Sequence, residues 1–493
     1  MNYISGENRG QTLLLPDKID DYVDNNNSVR VLEVYTESLD LSKLGFKTAE
    51  AHKTGRPMYN PQDMLKLYMW GYMNRIRSSR RLETETKRNL EVLWLMRRLS
   101  PDHKTIARFR QENPMALKNV FCDFVTLCVR LGLYGKELAA IDGSKFKAVN
   151  SRARNFTKTQ VQDKIARLTA KIEEYIQEME SADAEENDCE GEKSKEEISQ
   201  IIQELSKHKE RYQGYAQELE QNGEKQKSLT DADSRLMQTN GKMDVCYNVQ
   251  TSVDAKNKLI AEFEISNQGN DKNFITPLAK KTKAILETET IIVAVDNGYE
   301  SIQDILAAKS QGIEAHVAGT DFDVCVPSEG GQQIQIRSHH NGRCVYIKER
   351  NISLCPMGNV LYPQYYNNKK TRGAGIFQNI GACRKCTCKC TKDKRNRFRH
   401  LVEMPKKDFS KEYNDEGLAI KQIRIAPKKE IMVQRKSLVE HPFGTIKRNM
   451  DGGYCLTKGL EKVSGEFSLM FLAYNIKRVI NILGSRKLIE SLI

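Results

Sequence analysis

Two short apolar runs, each ending on an aspartate, constrain this chain most. Leu138-Ala139-Ala140-Ile141 leads into Asp142-Gly143, and Ile291-Ile292-Val293-Ala294-Val295 leads into Asp296-Asn297-Gly298-Tyr299. Short apolar runs bounded by turn residues read as buried strands. A third carboxylate, Glu440, opens a basic helical stretch, Glu440-His441-Pro442-Phe443-Gly444-Thr445-Ile446-Lys447-Arg448. Taken singly, an Asp before Gly is a turn former, and a Glu early in a helix favours the dipole. Taken together, two strand-end aspartates and a helix-borne glutamate are suited to holding a pair of divalent metals.

The 493 residues suffice for two to four domains with ample core. A formal net charge of +13 favours a polyanionic partner, nucleic acid first. In so basic a chain the natural substrate for paired metals is a phosphodiester. Met1 to Gln11 lacks the apolar core of a signal peptide. Leu469 to Tyr474 is far too short to span a bilayer. A soluble, cytoplasmic protein without a membrane partner is expected.

Residues 1–135 read as a helical N-terminal domain. Met64, Leu65, Leu67, Tyr68, Gly71 and Tyr72 recur with helical spacing after Pro61. Between Arg75 and Arg110 lie eleven Lys or Arg and four acidic residues. Short helices, tight turns and concentrated cations suggest a helix-turn-helix-like DNA-binding region. Arg77, Arg80, Arg81, Lys104, Arg108 and Arg110 are its candidate contacts. The alternative is a helical bundle with a solvated basic face.

Residues 136–156 hold the first core strand. Residues 157–229 read as an inserted antiparallel coiled-coil hairpin. Val161, Ile165, Leu168, Ile172, Tyr175 and Met179 alternate spacings of four and three. Ile198, Ile201, Leu205, His208, Tyr212, Tyr215 and Leu219 do so on the return, which puts His208 on the seam. Residues 230–320 continue with a hairpin of two strands, a helix, the strand ending at Asp296, a helix and a short strand. Residues 321–428 form a cysteine-rich basic insertion, and 429–493 are helical. With both insertions set aside, this is the element order of a ribonuclease H-like core. The fold class expected is therefore α/β, a mixed-sheet core with an all-α N-terminal domain and two insertions.

Several segments together resemble the bacterial insertion-sequence DDE transposases. Gly55-Arg56-Pro57, Tyr59-Asn60-Pro61, Ile76 to Glu83 and Pro101 to Arg110 look like their N-terminal domain. Ile141 to Ala148, Val295 to Tyr299 and Val439 to Arg448 look like their three catalytic segments. The resemblance implies Asp142, Asp296 and Glu440 as catalytic carboxylates for two Mg²⁺ or Mn²⁺ ions. It also implies double-stranded DNA as partner, both element ends and target, and a homodimer on that DNA. Many members carry Tyr, Arg, Glu and Lys on one helix, with two, three and six residues between them. Glu440 and Lys447 fit that spacing. Lys436 stands at the Arg position with Arg435 beside it, and Val433 stands at the Tyr position.

Lys436, Lys447 and Arg448 join the candidate DNA contacts; a solvated lysine is the plainer reading of Lys447. Asp231 and Asp233 read as supports near the active site. Of twelve cysteines, four crowd between Cys383 and Cys390. Cys355, Cys383, Cys386 and Cys390 are a candidate structural zinc set, against the alternative of reduced free thiols. Two other functions stay open: a ribonuclease H-like nuclease that cuts without joining, and a DNA-binding derivative with an inactive site.

Overall fold

The computed structural model describes residues 18–47, 58–184, 195–239, 241–299, 302–318, 321–327, 333–339, 345–347, 352–354, 359–363, 374–385, 399–403 and 429–493. Seven helices come first: α1 (Ser28–Glu37), α2 (Leu41–Leu44), α3 (Pro61–Met73), α4 (Ser79–Arg88), α5 (Leu90–Leu95), α6 (His103–Glu112) and α7 (Pro114–Arg130). Local chemistry starts them. Asn60 accepts from Gln62 N–H ahead of Pro61, and Asp102 accepts from Lys104 and Thr105 N–H. All but one residue of α3 are buried, Lys66 among them. The Lys66 ammonium is paired 2.8 Å from Glu33 Oε2.

One mixed sheet carries the strand-end aspartates. Its strands are β1 (Leu138–Lys147), β4 (Arg235–Thr239), β5 (Lys242–Asp254), β6 (Ile260–Ser266), β7 (Ile291–Val295) and β8 (Ile313–Val317). The numbers β2 (Asn155–Thr157) and β3 (Gln226–Ser228) belong to a separate two-stranded ribbon. β5 runs antiparallel to β1, with Asp142 opposite Thr251 and Gly143 opposite Gln250. On its other edge β5 pairs antiparallel with β4 and then β6. β7 runs parallel to β1, and β8 parallel to β7. α10 (Ile275–Leu286) and α11 (Ile302–Ser310) connect the later strands. Helices and a mixed sheet place the protein in the α/β class, as expected.

The ribbon of β2 and β3 is the root of a long helical hairpin, α8 (Lys158–Ala184) and α9 (Lys195–Gln221). Phe156, Val161 and Leu219 make a small separate core there, flanked by Tyr212 and Tyr215. His208, expected on the seam, is exposed, and the neighbouring Lys209 is the partly buried residue. Leu205, Tyr212 and Tyr215 are partly buried and Leu219 is buried, as the heptad spacing predicts; at His208 the partly buried position moves by one residue.

In the cysteine-rich stretch the described pieces are short strands and α12 (Ile380–Lys385). Three α-helices close the chain, α13 (Lys429–Gly444), α14 (Leu460–Leu483) and α15 (Ser485–Glu490), with a π-helical turn, Thr445–Asn449, directly after α13. α14 is buried from Gly465 to Ile476 and packs against α7, α3 and β6. Phe263 on β6 meets Phe121 of α7 at 5.2 Å and Phe471 of α14 at 4.8 Å between ring centroids. The N-terminal helices, the sheet and α14 thus share one hydrophobic core. Asp231 and Asp233 serve this packing: Asp231 accepts from the Tyr247 hydroxyl and Gly459 N–H, and Asp233 from Leu460 N–H at the start of α14. No helix among the described residues is long and apolar enough to cross a membrane.

Candidate active site

Side chains alternate across a strand. On one face of β1 stand Ala140, Asp142, Ser144 and Phe146, and α13 lies over that face. Leu438 and Val439 of α13 pack on Ala140, and Phe443 lies 6.0 Å from Phe146 between ring centroids. This seating directs Arg435 inward. Its Nη2 lies 3.7 Å from Asp142 Oδ1 and 3.8 Å from Asp296 Oδ1. The guanidinium side chain is 13% exposed, Asp142 27% and Asp296 58%.

Asp142 is pushed up to about 6. Burial is the main cause; Arg435 and the Gly143 N–H act against it, while Asp296 and Asp271 add to it. A carboxyl so displaced beside a second carboxylate is a marker of functional sites. Lys447 reaches the same strand. Its ammonium donates to Ser144 Oγ at 2.6 Å and to the Lys145 carbonyl at 3.1 Å, over the Phe146 ring. Burial pulls its pKa down, against the Cys246 and Asp142 charges.

The opposite face of the sheet, under the aspartates, is a polar raft. Asp271, in the loop after β6, accepts from Gln250 Nε2 at 2.7 Å, Asn248 Nδ2 at 2.8 Å and Lys145 Nζ at 3.2 Å. The Tyr299 hydroxyl donates to Gln250 Oε1. Gly143 lies against this raft. A Cβ there would come 2.2 Å from Gln250 Nε2 and 2.8 Å from Asp271 Oδ1, so any larger residue beside Asp142 must displace these two side chains.

The donor set suits a divalent cation. Two carboxylates from adjacent parallel strands already share one cationic nitrogen, and hard divalent ions take carboxylate oxygens. Beside them, Thr251 Oγ1 and Arg435 Nε are buried without a hydrogen-bond partner. Glu440 is not gathered in: it is exposed on α13. Among the described residues no three acidic, His or Cys side chains form a metal-sized group. Its neighbour His441 holds the helix instead, Nδ1 2.9 Å from the Tyr474 hydroxyl.

The expected DNA contacts separate into two sets. Arg80, Arg81, Lys104, Arg108, Lys436 and Arg448 are exposed, with Arg108 paired to Glu112 at 2.7 Å. Arg77 and Arg110 are buried, at 3% and 5% exposure, and the expectation that they face DNA is corrected. Arg77 donates to the Tyr454 carbonyl and to Glu466 Oε1, each at 2.5 Å. Arg110 donates to the Tyr72 hydroxyl at 2.9 Å, with its guanidinium over the Tyr68 ring. Cationic charge in a sequence does not say which arginines find an internal partner.

Sequence reasoning names Arg435 only as the neighbour of Lys436, and it missed Asp271. Arg435 shares a helical face with Val439, Pro442 and Phe443 (spacings of four, three and one), which was a readable signal. Asp271 had none, because its partners are distant in sequence. Of the candidate zinc set, Cys355, Cys386, Cys390 and the side chain of Cys383 lie outside the described residues.

Comparison with known families gives two matches. A transposase domain (DUF772) matches residues 17–112, and a transposase DDE domain matches residues 354–480. The second span includes Glu440 and Lys447 and leaves Asp142 and Asp296 outside. No curated protein and no solved structure matches the chain. With a transposase domain on its N-terminal helices and a transposase DDE domain over residues 354–480, the chain is similar at both ends to the DDE transposases.

Proposed function

We propose that this transposase binds the terminal inverted repeats of its element, cuts there and joins the freed 3′ ends to target DNA. The observation that carries the reading is the pairing of Asp142 and Asp296 around one cationic nitrogen. The strand order supports a ribonuclease H-like core: an antiparallel pair, β6 and β5, beside β1, then β7 and β8 parallel to it. On this reading the α8–α9 hairpin and the cysteine-rich stretch are insertions into that core.

Asp142 and Asp296 would hold Mg²⁺ or Mn²⁺; Glu440, exposed on α13 and apart from them in this structure, would have to swing in to act as the third carboxylate. When bound, such ions would supply an activated nucleophile and stabilise the leaving oxygen. The chain's own residues do the rest. Lys447, held against β1, would grip a phosphate near the scissile bond. Arg80, Arg81, Lys104, Arg108, Lys436 and Arg448 would neutralise backbone phosphates. Two ends must be paired, so a homodimer on DNA completes the reading.

The test uses the full chain and a labelled element end. Wild-type protein is expected to nick it with Mg²⁺ and to join a pre-cleaved end to a plasmid. Asp142→Asn and Asp296→Asn should each lose both activities by at least a hundredfold. Cutting without joining would favour the nuclease reading. Unchanged cleavage by Asp142→Asn would overturn the catalytic assignment.

A further inference from the structure

We propose that Asp271 is the positioning residue that holds Asp142 and Asp296 in a common geometry; this rests on the reading of those aspartates as the metal-holding pair. Asp271 touches neither aspartate through a hydrogen bond. It collects donors from both central antiparallel strands instead, Lys145 on β1 and Asn248 and Gln250 on β5.

The Gln250 contact carries the effect to Asp296. A glutamine amide has distinct donor and acceptor ends. With Nε2 given to Asp271, Oε1 is turned towards the Tyr299 hydroxyl, which donates to it. Tyr299 N–H in turn donates to the Asp296 carbonyl at 3.1 Å, closing the turn that follows β7. If the amide flipped, Oε1 would face the Asp271 carboxylate, acceptor against acceptor at a part-buried site, which is costly. Asp271 therefore fixes the amide, the amide fixes Tyr299, and Tyr299 fixes the turn carrying Asp296.

The same carboxylate braces Asp142. A Cβ on Gly143, its neighbour, would push directly on the Gln250 and Asp271 side chains. Asp271 also lies 3.6 Å from where a Cβ on Gly298 would stand, so it bridges the strand of one aspartate and the turn of the other. Groups that orient ligands from behind typically change metal affinity by about 10–100-fold when removed.

The experiment compares Asp271→Ala, Asp271→Asn and Asp142→Asn in the full chain, following nicking of an element end against Mg²⁺ concentration. DNA binding without metal and the unfolding midpoint are measured alongside. Asp271→Ala should raise the Mg²⁺ midpoint about tenfold or more, with metal-free DNA binding within twofold of wild type. Asp271→Asn keeps an oxygen for Gln250 and Asn248 and should restore the midpoint to within about threefold. Should Asp271→Ala fail to fold, Lys145→Met, which frees one donor of the raft, is expected to raise the midpoint by at least threefold. Wild-type midpoints in Asp271→Ala and Lys145→Met, with Asp142→Asn inactive, would overturn the positioning role alone. An active Asp142→Asn would instead remove the reading beneath it.

Discussion

Arg77, in the turn before α4, is paired inside the protein with Glu466 of α14, Nη2 to Oε1 at 2.5 Å. Glu466 also accepts from the backbone N–H of Leu456 and Thr457 and from the Thr457 hydroxyl. The pair binds the N-terminal helices to the last long helix across 389 residues of sequence. Breaking a buried pair from one side strands the other charge, which costs about 3–5 kcal/mol. Arg77→Ala should lower stability by that order in denaturant unfolding, with no specific loss in the salt dependence of DNA binding. A change under about 1 kcal/mol would contradict the burial described here.

Asp142 makes stability depend on pH. Its folded pKa, about 6, stands above the ordinary 3.8. The folded state therefore holds the proton more tightly than the unfolded chain does. This contribution is fully present below about pH 3.8 and is lost as pH rises through 6. The two-unit displacement corresponds to on the order of 3 kcal/mol. Asp142→Asn should thus raise the melting temperature at pH 8 relative to wild type, and the gain should vanish near pH 4. A pH-independent difference would show that burial of the charge is not the cause.

Gly143 gives a steric prediction. Gly143→Ala places a methyl group against Gln250 and Asp271. Overpacking of this kind costs about 1–3 kcal/mol, and here the displaced groups are those beneath the aspartates. Loss of nicking activity should exceed what the change in melting temperature accounts for. Wild-type cleavage in this variant would mean that the raft yields freely.

Arg435 predicts a response to metal. Without it, Asp142 and Asp296 face each other with no cation between them. Arg435→Ala should be less stable than wild type in EDTA and should gain more from added Mg²⁺, read as the rise in melting temperature. Equal gains in both proteins would show that Arg435 does not occupy the cation position.

The exposed cations near α4 and α6 predict a salt effect. If Arg80, Arg81, Lys104 and Arg108 contact phosphates, each replacement by Ala should reduce the slope of log affinity against log salt by about 1. The measurement is a fluorescence-anisotropy titration at several salt concentrations. A quadruple variant with an unchanged slope would move the DNA surface elsewhere.

The sequence by itself determined the local structure and the chemistry within it. Apolar runs ended by Asp-Gly and Asp-Asn-Gly became β1 and β7. Pro61, Asn60 and Asp102 started their helices, and alternating spacings of four and three became the α8–α9 hairpin. Each of these signals lies within a few residues, where period and capping act. The likeness to transposases was legible for the same reason, because its motifs are short and ordered. Tertiary structure alone decided which charges are internal: Arg77 and Arg110 left the surface, Arg435 took the place beside the aspartates, and Glu440 stayed outside. Asp271 became visible only once three strands and a loop had converged. Burial and pairing are set by partners far apart in the chain, and a linear pattern holds no record of which partners meet.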